Sequence, residues 1–169
     1  FTGGKVVDAM VSQLDVYPTF CELLGLTPEH ELHGKSLLPL VRGETAALHD
    51  ELFGEHNYHG GSDPMRTVRT TRHRYIRRLN ETAARIPGKG PTNEWLSGLG
   101  YADQPRGREL LYDLTFDPYE QNDLAPDPAH LVERAGDRRQ LDAWPPRPAD
   151  ALRTGVIPGS AVLPEAVPR

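Results

Sequence analysis

The sequence predicts an α+β fold: a small antiparallel β-sheet with a C-terminal helix packed on it. Strand-forming residues over Arg66–Asn80 indicate a β-hairpin with its turn near 71–73. The run Leu110–Leu114 indicates a further strand. Asp127 and Pro128 are typical N-cap and first-turn residues of a helix, which we expect to extend to about Ala143.

The N-terminal residues predict a strand followed by a helix. Apolar residues within 6–11 favour a short buried strand or a segment that leads into the first helix. Asp15 stands at an N-cap position and Gly25 just past the last apolar residue, so we expect a helix over 16–24.

The segments between these elements predict irregular structure. Residues 27–50 are expected to form a loop around the apolar run Leu37–Val41, because Pro39 disfavours a central strand. Residues 51–55 indicate one short strand. Glycine and proline recur over 81–108, which predicts a long insertion loop, and six prolines after residue 144 predict an extended tail.

Composition excludes several classes of protein. With 169 residues the chain is long enough for one domain with a core, and it has no run of 18 apolar residues, so we expect no membrane span. A net charge of −5 argues against a nucleic-acid partner. The one cysteine, Cys21, excludes an internal disulfide and a multi-cysteine zinc site, and its place on the predicted helix favours a buried structural role.

Two charged blocks leave two interpretations open. Six arginines and no acid lie between Arg66 and Arg78, and six acids and no base lie between Glu109 and Asp127. The blocks neutralise each other if the hairpin and the third strand share one sheet. Alternatively, some arginines project into a cleft that binds an anionic substrate.

The segment Glu55–His59 is the densest group of chemically active side chains. It contains a carboxylate, an amide, a phenol and two imidazoles, those of His56 and His59, at a strand end where binding groups often lie. An exposed polar loop is the alternative interpretation. No complete catalytic set is visible in the residues themselves.

Three motifs in order resemble the sulfatases. Residues 11–19, VSQLDVYPT, resemble the "VS-x-x-D-x-x-PT" stretch of that family. Residues 33–40, HGKSLLPL, are similar to its "G-x-SLLPLL" segment, and LYDL at 111–114 with DPYEQNDL at 117–124 is similar to its closing motif. Residues 64–69, PMRTVR, most resemble the heparan N-sulfatase (sulfamidase) branch.

The resemblance implies an architecture. Sulfatases are similar in fold to alkaline phosphatases, with a large α/β domain and a smaller C-terminal domain built on a four-stranded antiparallel sheet. Residues 1–50 are then a strand and helix remnant of the large domain, and residues 51–144 are the C-terminal subdomain with the long loop 81–108. Residues 145–169 are a proline-rich tail.

The resemblance also implies a chemistry. Sulfatases hydrolyse sulfate esters or sulfamates with a formylglycine made in a C-x-P-x-R motif and with a calcium-like cation. The residues after Cys21 do not match that motif, so we expect nucleophile and metal ligands to precede Phe1 and this chain to be inactive alone. Its expected partners are that missing catalytic domain and a sulfated carbohydrate. We expect His56, His59 and Arg66 to approach the shared substrate cleft.

Two other functions remain open at this point. The parent protein could hydrolyse phosphate or phosphonate esters within the same superfamily. The chain could instead be a non-catalytic binding or oligomerisation module, and a homo-oligomer is compatible with either function.

Overall fold

The computed structural model describes residues 4–58, 62–79 and 90–144. By its internal contacts the chain divides into two compact units. The first comprises Phe1–Leu52 and Arg69–His73, and the second Phe53–Val68 and Arg74–Arg169.

Helix α1 (Val16–Leu24) confirms the helix predicted over 16–24. It follows a 3₁₀ turn at Gln13–Asp15, where Ser12 and Asp15 form a capping box: the Ser12 hydroxyl accepts from the Leu14 N–H at 3.2 Å, and the Asp15 carboxylate accepts from the Ser12 N–H at 2.7 Å. The helix ends at Gly25, whose φ of 67° lies in the left-handed region that glycine adopts without strain.

The Asp15 carboxylate ties the following segment to α1. It is fully buried and accepts a hydrogen bond from the Lys35 N–H at 2.8 Å, while His49 Nε2 lies 3.0 Å from both of its oxygens. Thr19 extends the tie, since its hydroxyl accepts from the Leu37 N–H at 2.9 Å. The aspartate and threonine of the motif at 11–19 therefore hold the second motif in place.

Two expectations for the first unit were wrong. Residues 27–50 contain a short helix, α2 (Leu38–Arg42), because Pro39 lies in its first turn, where a helix tolerates the missing N–H. Residues 6–11 form no strand, and Val6 is 85% exposed. A strand needs a hydrogen-bonded neighbour, and none of the four strands in the described ranges pairs with this segment.

The second unit is built on a four-stranded antiparallel sheet in the order β1-β2-β3-β4. Its strands are β1 (Leu52–Tyr58), β2 (Ser62–Arg69), β3 (His73–Arg78) and β4 (Glu109–Asp113). The predicted hairpin is confirmed by β2 and β3, joined by a turn in which the Thr70 N–H donates to the His73 carbonyl at 2.9 Å.

Helix α4 (Leu131–Ala143) packs on one face of this sheet. It follows a 3₁₀ turn at Pro128–His130, which Asp127 caps through the Ala129 N–H at 2.9 Å. The core consists of buried residues from three strands, the following loop and the helix: Val68, Tyr75, Leu111, Ala125 and Leu141. The predicted α+β fold, with its C-terminal helix, is confirmed.

The expected loop over 81–108 is partly helical. Helix α3 (Pro91–Gly98) starts with proline in its first turn, and a 3₁₀ turn follows at Tyr101–Asp103. The expected tail at 145–169 lies outside the described residues. None of the helices in the described ranges combines the length and the apolar character that a bilayer crossing needs.

We predict that Gly34→Ala strongly destabilises the protein. A Cβ at this position would lie 2.0 Å from the Leu14 carbonyl oxygen, and this contact is with backbone, which cannot move aside. We expect a loss of about 3 kcal/mol or more in the free energy of unfolding, measured by urea denaturation. Gly98→Ala is the matched control, because a Cβ there meets nothing within 4 Å. Equal stability of the two variants would contradict the prediction.

A second prediction concerns Asp15 and acid. Burial alone would raise the pKa of Asp15, but hydrogen bonds from the Lys35 and Ser12 N–H groups and from His49 outweigh it and lower this pKa. The stabilisation from Asp15 is therefore present above its unfolded pKa of about 4 and is lost as the pH falls through the lower native pKa.

Asp15→Asn should remove that stabilisation, because its NH2 group would oppose an N–H donor. We expect a loss of about 3 kcal/mol at pH 7 that shrinks at acidic pH, measured by urea denaturation between pH 3 and pH 7. The control is Asp50→Asn, at an exposed position of the same unit. A destabilisation by Asp15→Asn that does not vary with pH would count against the account.

Candidate functional site

The sheet has one face toward α4 and one face away from it. Val68, Tyr75 and Leu111 are buried with Leu141 of α4, and side chains alternate along each strand. Residues one position away from these core residues, and every second residue from there, lie on the opposite face, which we call the outer face. On β1, β2 and β3 it includes Gly54, His56, Met65, Thr67, Arg74, Ile76 and Arg78.

A groove of about 190 Å³ lies on this outer face. Its lining comes from β1, β2 and β3. On the outer face it includes Gly54, His56, Met65, Thr67, Arg74 and Ile76, and Glu55 and Arg66 also contribute. A Cβ at Gly54 would lie 2.9 Å from Thr67 Cγ2, so glycine leaves room here. The groove is therefore a concavity lined by both charged and apolar groups.

The structure brings the predicted residues together only in part. His56 lines the groove. Arg66 is 5% exposed and its guanidinium is engaged by β1, donating to Asn57 Oδ1 at 2.7 Å and lying 3.6 Å from Glu55 Oε2. By strand alternation these groups lie on the α4 side. His59 lies outside the described residues.

Arg74 of the basic block pairs with an acid of the acidic block. Its Nη1 lies 2.7 Å and 3.0 Å from the two carboxylate oxygens of Glu120. Glu120 has φ 55°, unusual for a residue other than glycine, in a turn where Asp117 accepts from the Asn122 N–H at 2.7 Å. Hydrogen bonds from the Gln121 and Asn122 N–H groups lower the pKa of Asp117. The motif at 117–124 therefore places the Glu120 carboxylate beside Arg74 on the outer face.

The other acids and arginines of the blocks are paired differently. Glu109 meets the α4 side, where it accepts from the Tyr75 hydroxyl and contacts Arg138, and burial with this carboxylate raises the pKa of Tyr75 to about 12. Arg77 pairs with Asp142 of α4 at 2.7 Å. The predicted pairing between the two charged blocks is therefore seen for Arg74. Glu109 and Arg77 instead pair with residues of α4.

A cluster that the sequence did not reveal lies where β2 begins and β3 ends. Arg78 Nη1 is 3.3 Å from Asp63 Oδ1, and Arg106 Nη2 is 3.0 Å from Asp63 Oδ2. Arg78 also contacts Met65 Sδ at 3.2 Å, and Met65 lines the groove. Arg106 lies within the stretch predicted as an insertion loop, 43 residues from Asp63. No local pattern in the sequence therefore indicates that the two side chains meet.

The described residues do not fit a sulfatase-type nucleophile and cation. No group of three His, Cys, Asp or Glu side chains within the described ranges is arranged to hold a metal ion. Cys21 is buried in α1, and Glu22 and Leu23 follow it in place of the C-x-P-x-R pattern.

Comparison with known proteins places these features in a family. Residues 1–85, half of the chain, match the family described as N-sulphoglucosamine sulphohydrolase, C-terminal. The chain is 32% identical to the human protein named N-sulphoglucosamine sulphohydrolase, over 83% of this chain and 33% of that protein. It is also 32% identical to a Delta 4,5-hexuronate-2-O-sulfatase of Bacteroides thetaiotaomicron, over 89% of this chain and 27% of that one.

Solved structures share the fold. A 2-O GAG sulfatase matches with a TM-score of 0.63 and 30% identity, over 89% of this chain and 28% of that chain. The phosphonate monoester hydrolase of Agrobacterium radiobacter matches with a TM-score of 0.50 and 25% identity, over 83% and 24%. The chain spans about a third of the length of the curated relatives it matches.

Proposed function

The chain belongs to the N-sulphoglucosamine sulphohydrolase C-terminal family, and on that premise we propose that its parent protein hydrolyses sulfate esters or sulfamates of sugars. The observation that carries the proposal is the family match over residues 1–85, supported by the two relatives that are named as a sulfatase and a sulphohydrolase. The activity belongs to the whole protein, because this chain spans about a third of those relatives.

Within the parent, we propose that this chain forms walls of the sugar cleft. Formylglycine and a calcium ion, which supply the nucleophile and the Lewis acid when present, are assigned to polypeptide outside this chain. The residues after the one cysteine of the sequence, Cys21, depart from the C-x-P-x-R motif, which supports that assignment for the nucleophile. Residues 1–50 then belong to the large domain and 51–144 to the C-terminal subdomain, a division close to that between the two compact units.

The assignment of His56, His59 and Arg66 to the cleft stays a prediction. The position of His56 in the outer-face groove supports its part. Arg66 is enclosed by Glu55 and Asn57, which favours a role in fixing the end of β1 beside the groove over direct contact with sugar. Arg74 and Glu120 join His56 as polar groups at that face.

A second candidate function is hydrolysis of phosphonate or phosphate esters. The structural match to a phosphonate monoester hydrolase favours it, at lower similarity than the match to the 2-O GAG sulfatase. The substrate profile of the parent protein distinguishes the two.

We predict that the full-length protein releases inorganic sulfate from an N-sulfated glucosamine disaccharide or from a 2-O-sulfated uronate disaccharide. Sulfate is measured by ion chromatography. We expect no release by the 169-residue chain alone. A higher kcat/KM for an aryl phosphonate than for every sulfated sugar would replace this proposal with the second candidate.

We also predict that His56→Gln raises the KM of the full-length protein for its sugar substrate with little change in kcat. Loss of one hydrogen bond to a sugar hydroxyl corresponds to about a threefold to tenfold rise. The control is His30→Gln, which changes an exposed histidine of the first unit. Equal KM values for the two variants would remove His56 from the proposed cleft.

A further inference from the structure

Two arginines of the second unit share a single carboxylate. Arg78 and Arg106 each place one nitrogen on a different oxygen of Asp63, at 3.3 Å and 3.0 Å. The side chains of Arg78 and Arg106 are 13% and 21% exposed, so solvent screens them only in part. This cluster carries two positive charges against one negative charge.

The same arginines have hydrogen-bond donors that the protein leaves unused. Arg78 Nε and Arg106 Nη1 are buried, and no acceptor in the described structure meets either of them. A guanidinium has five N–H donors, and an unsatisfied buried donor costs about 1–3 kcal/mol. Burial and the neighbouring Arg106 also lower the pKa of Arg78, against the opposing effect of Asp63. Among the described residues the cluster therefore has two donors without an acceptor and one positive charge in excess.

We propose that Arg78 and Arg106 bind an oxyanion, a sulfate or carboxylate group carried by the sugar substrate. Two planar guanidiniums offer paired N–H donors that match the oxygens of such a group. The single excess positive charge matches a group with one negative charge, which describes a sulfate ester, a sulfamate and a carboxylate. Asp63 occupies part of the donor set of both guanidiniums and therefore competes with such a group.

The place of this oxyanion site on the sheet fits a substrate subsite. Strand alternation puts Arg78 on the outer face, and Arg78 contacts Met65, a residue that lines the groove with His56. A sugar whose ring lies in the groove would present a neighbouring anionic group to the arginines. The inference rests on the proposed function and adds to it a specificity determinant away from bond cleavage.

The test measures binding by the full-length protein with isothermal titration calorimetry. The probes are inorganic sulfate, an N-sulfated disaccharide without a carboxylate, and a uronate disaccharide without sulfate. Arg106→Gln should weaken at least one sugar probe about tenfold, as expected for a hydrogen bond to a charged group. The weakened probe identifies the bound group. Arg42→Gln is the matched control, since Arg42 is 51% exposed in the first unit.

Asp63→Asn supplies a readout that misfolding cannot imitate. Removing the competing carboxylate leaves two guanidiniums without a charged partner, so this variant should bind the same probe more tightly than the wild type. Unchanged affinity in both Arg106→Gln and Asp63→Asn would overturn the proposal. A loss of thermal stability in Arg106→Gln with unchanged affinity would do so too, because it would assign the arginines to a carboxylate of the protein itself.

The oxyanion site and the proposed hydrolysis can be disproved independently of each other. A full-length protein that binds the sulfated disaccharide through Arg106 but releases no sulfate would contradict the proposed hydrolysis and retain the oxyanion site. A protein that releases sulfate with identical KM in wild type and Arg106→Gln would retain the hydrolysis and contradict the site.

Discussion

Burial of Val68, Tyr75 and Leu111 against Leu141 of α4 is the constraint on which the rest of the second unit depends. Because side chains alternate along a strand, fixing these core residues also fixes which of their neighbours face away from the helix. A shift of one residue in the pairing register of a strand would turn its buried side chains outward. The neighbouring charged side chains would then face α4. The position of His56, Arg74 and Arg78 on the outer face is thus a consequence of hydrophobic packing on the other face.

The same alternation separates the arginines of β2 and β3 into two sets with different partners. On the α4 side, Arg66 is matched by groups of β1 and Arg77 by Asp142 of α4. On the outer face, Arg74 meets Glu120, which the closing motif brings from the loop after β4. These partners come from three different elements, so arginines that are close together in the sequence lie in separate local environments in the structure.

Residues that are typical of helix ends and turns were enough to predict the elements that begin and end at such residues. The cap at Asp15, the left-handed Gly25 and the Asp127-Pro128 start suffice for α1 and α4, and the β-branched residues suffice for the hairpin. Helix α2 was missed because proline breaks a strand yet suits a first helical turn, which the residues around Pro39 do not distinguish. The Asp63–Arg106 contact spans 43 residues, and no periodicity or spacing encodes such a separation.

The neighbouring groove, rather than charge alone, favours the outer face over the α4 side for an anionic ligand. On the α4 side, Arg134 and Arg138 share Glu109, and Arg134 also donates to the Ala125 carbonyl. On the outer face the Arg74–Glu120 pair is neutral, whereas Asp63 is the one acid that the described residues place between Arg78 and Arg106. The chain has a net charge of −5 and yet retains this local excess of positive charge beside a groove. Partly buried charge and unsatisfied donors lower the free energy of unfolding. Such a cost is understandable where an external oxyanion completes the cluster.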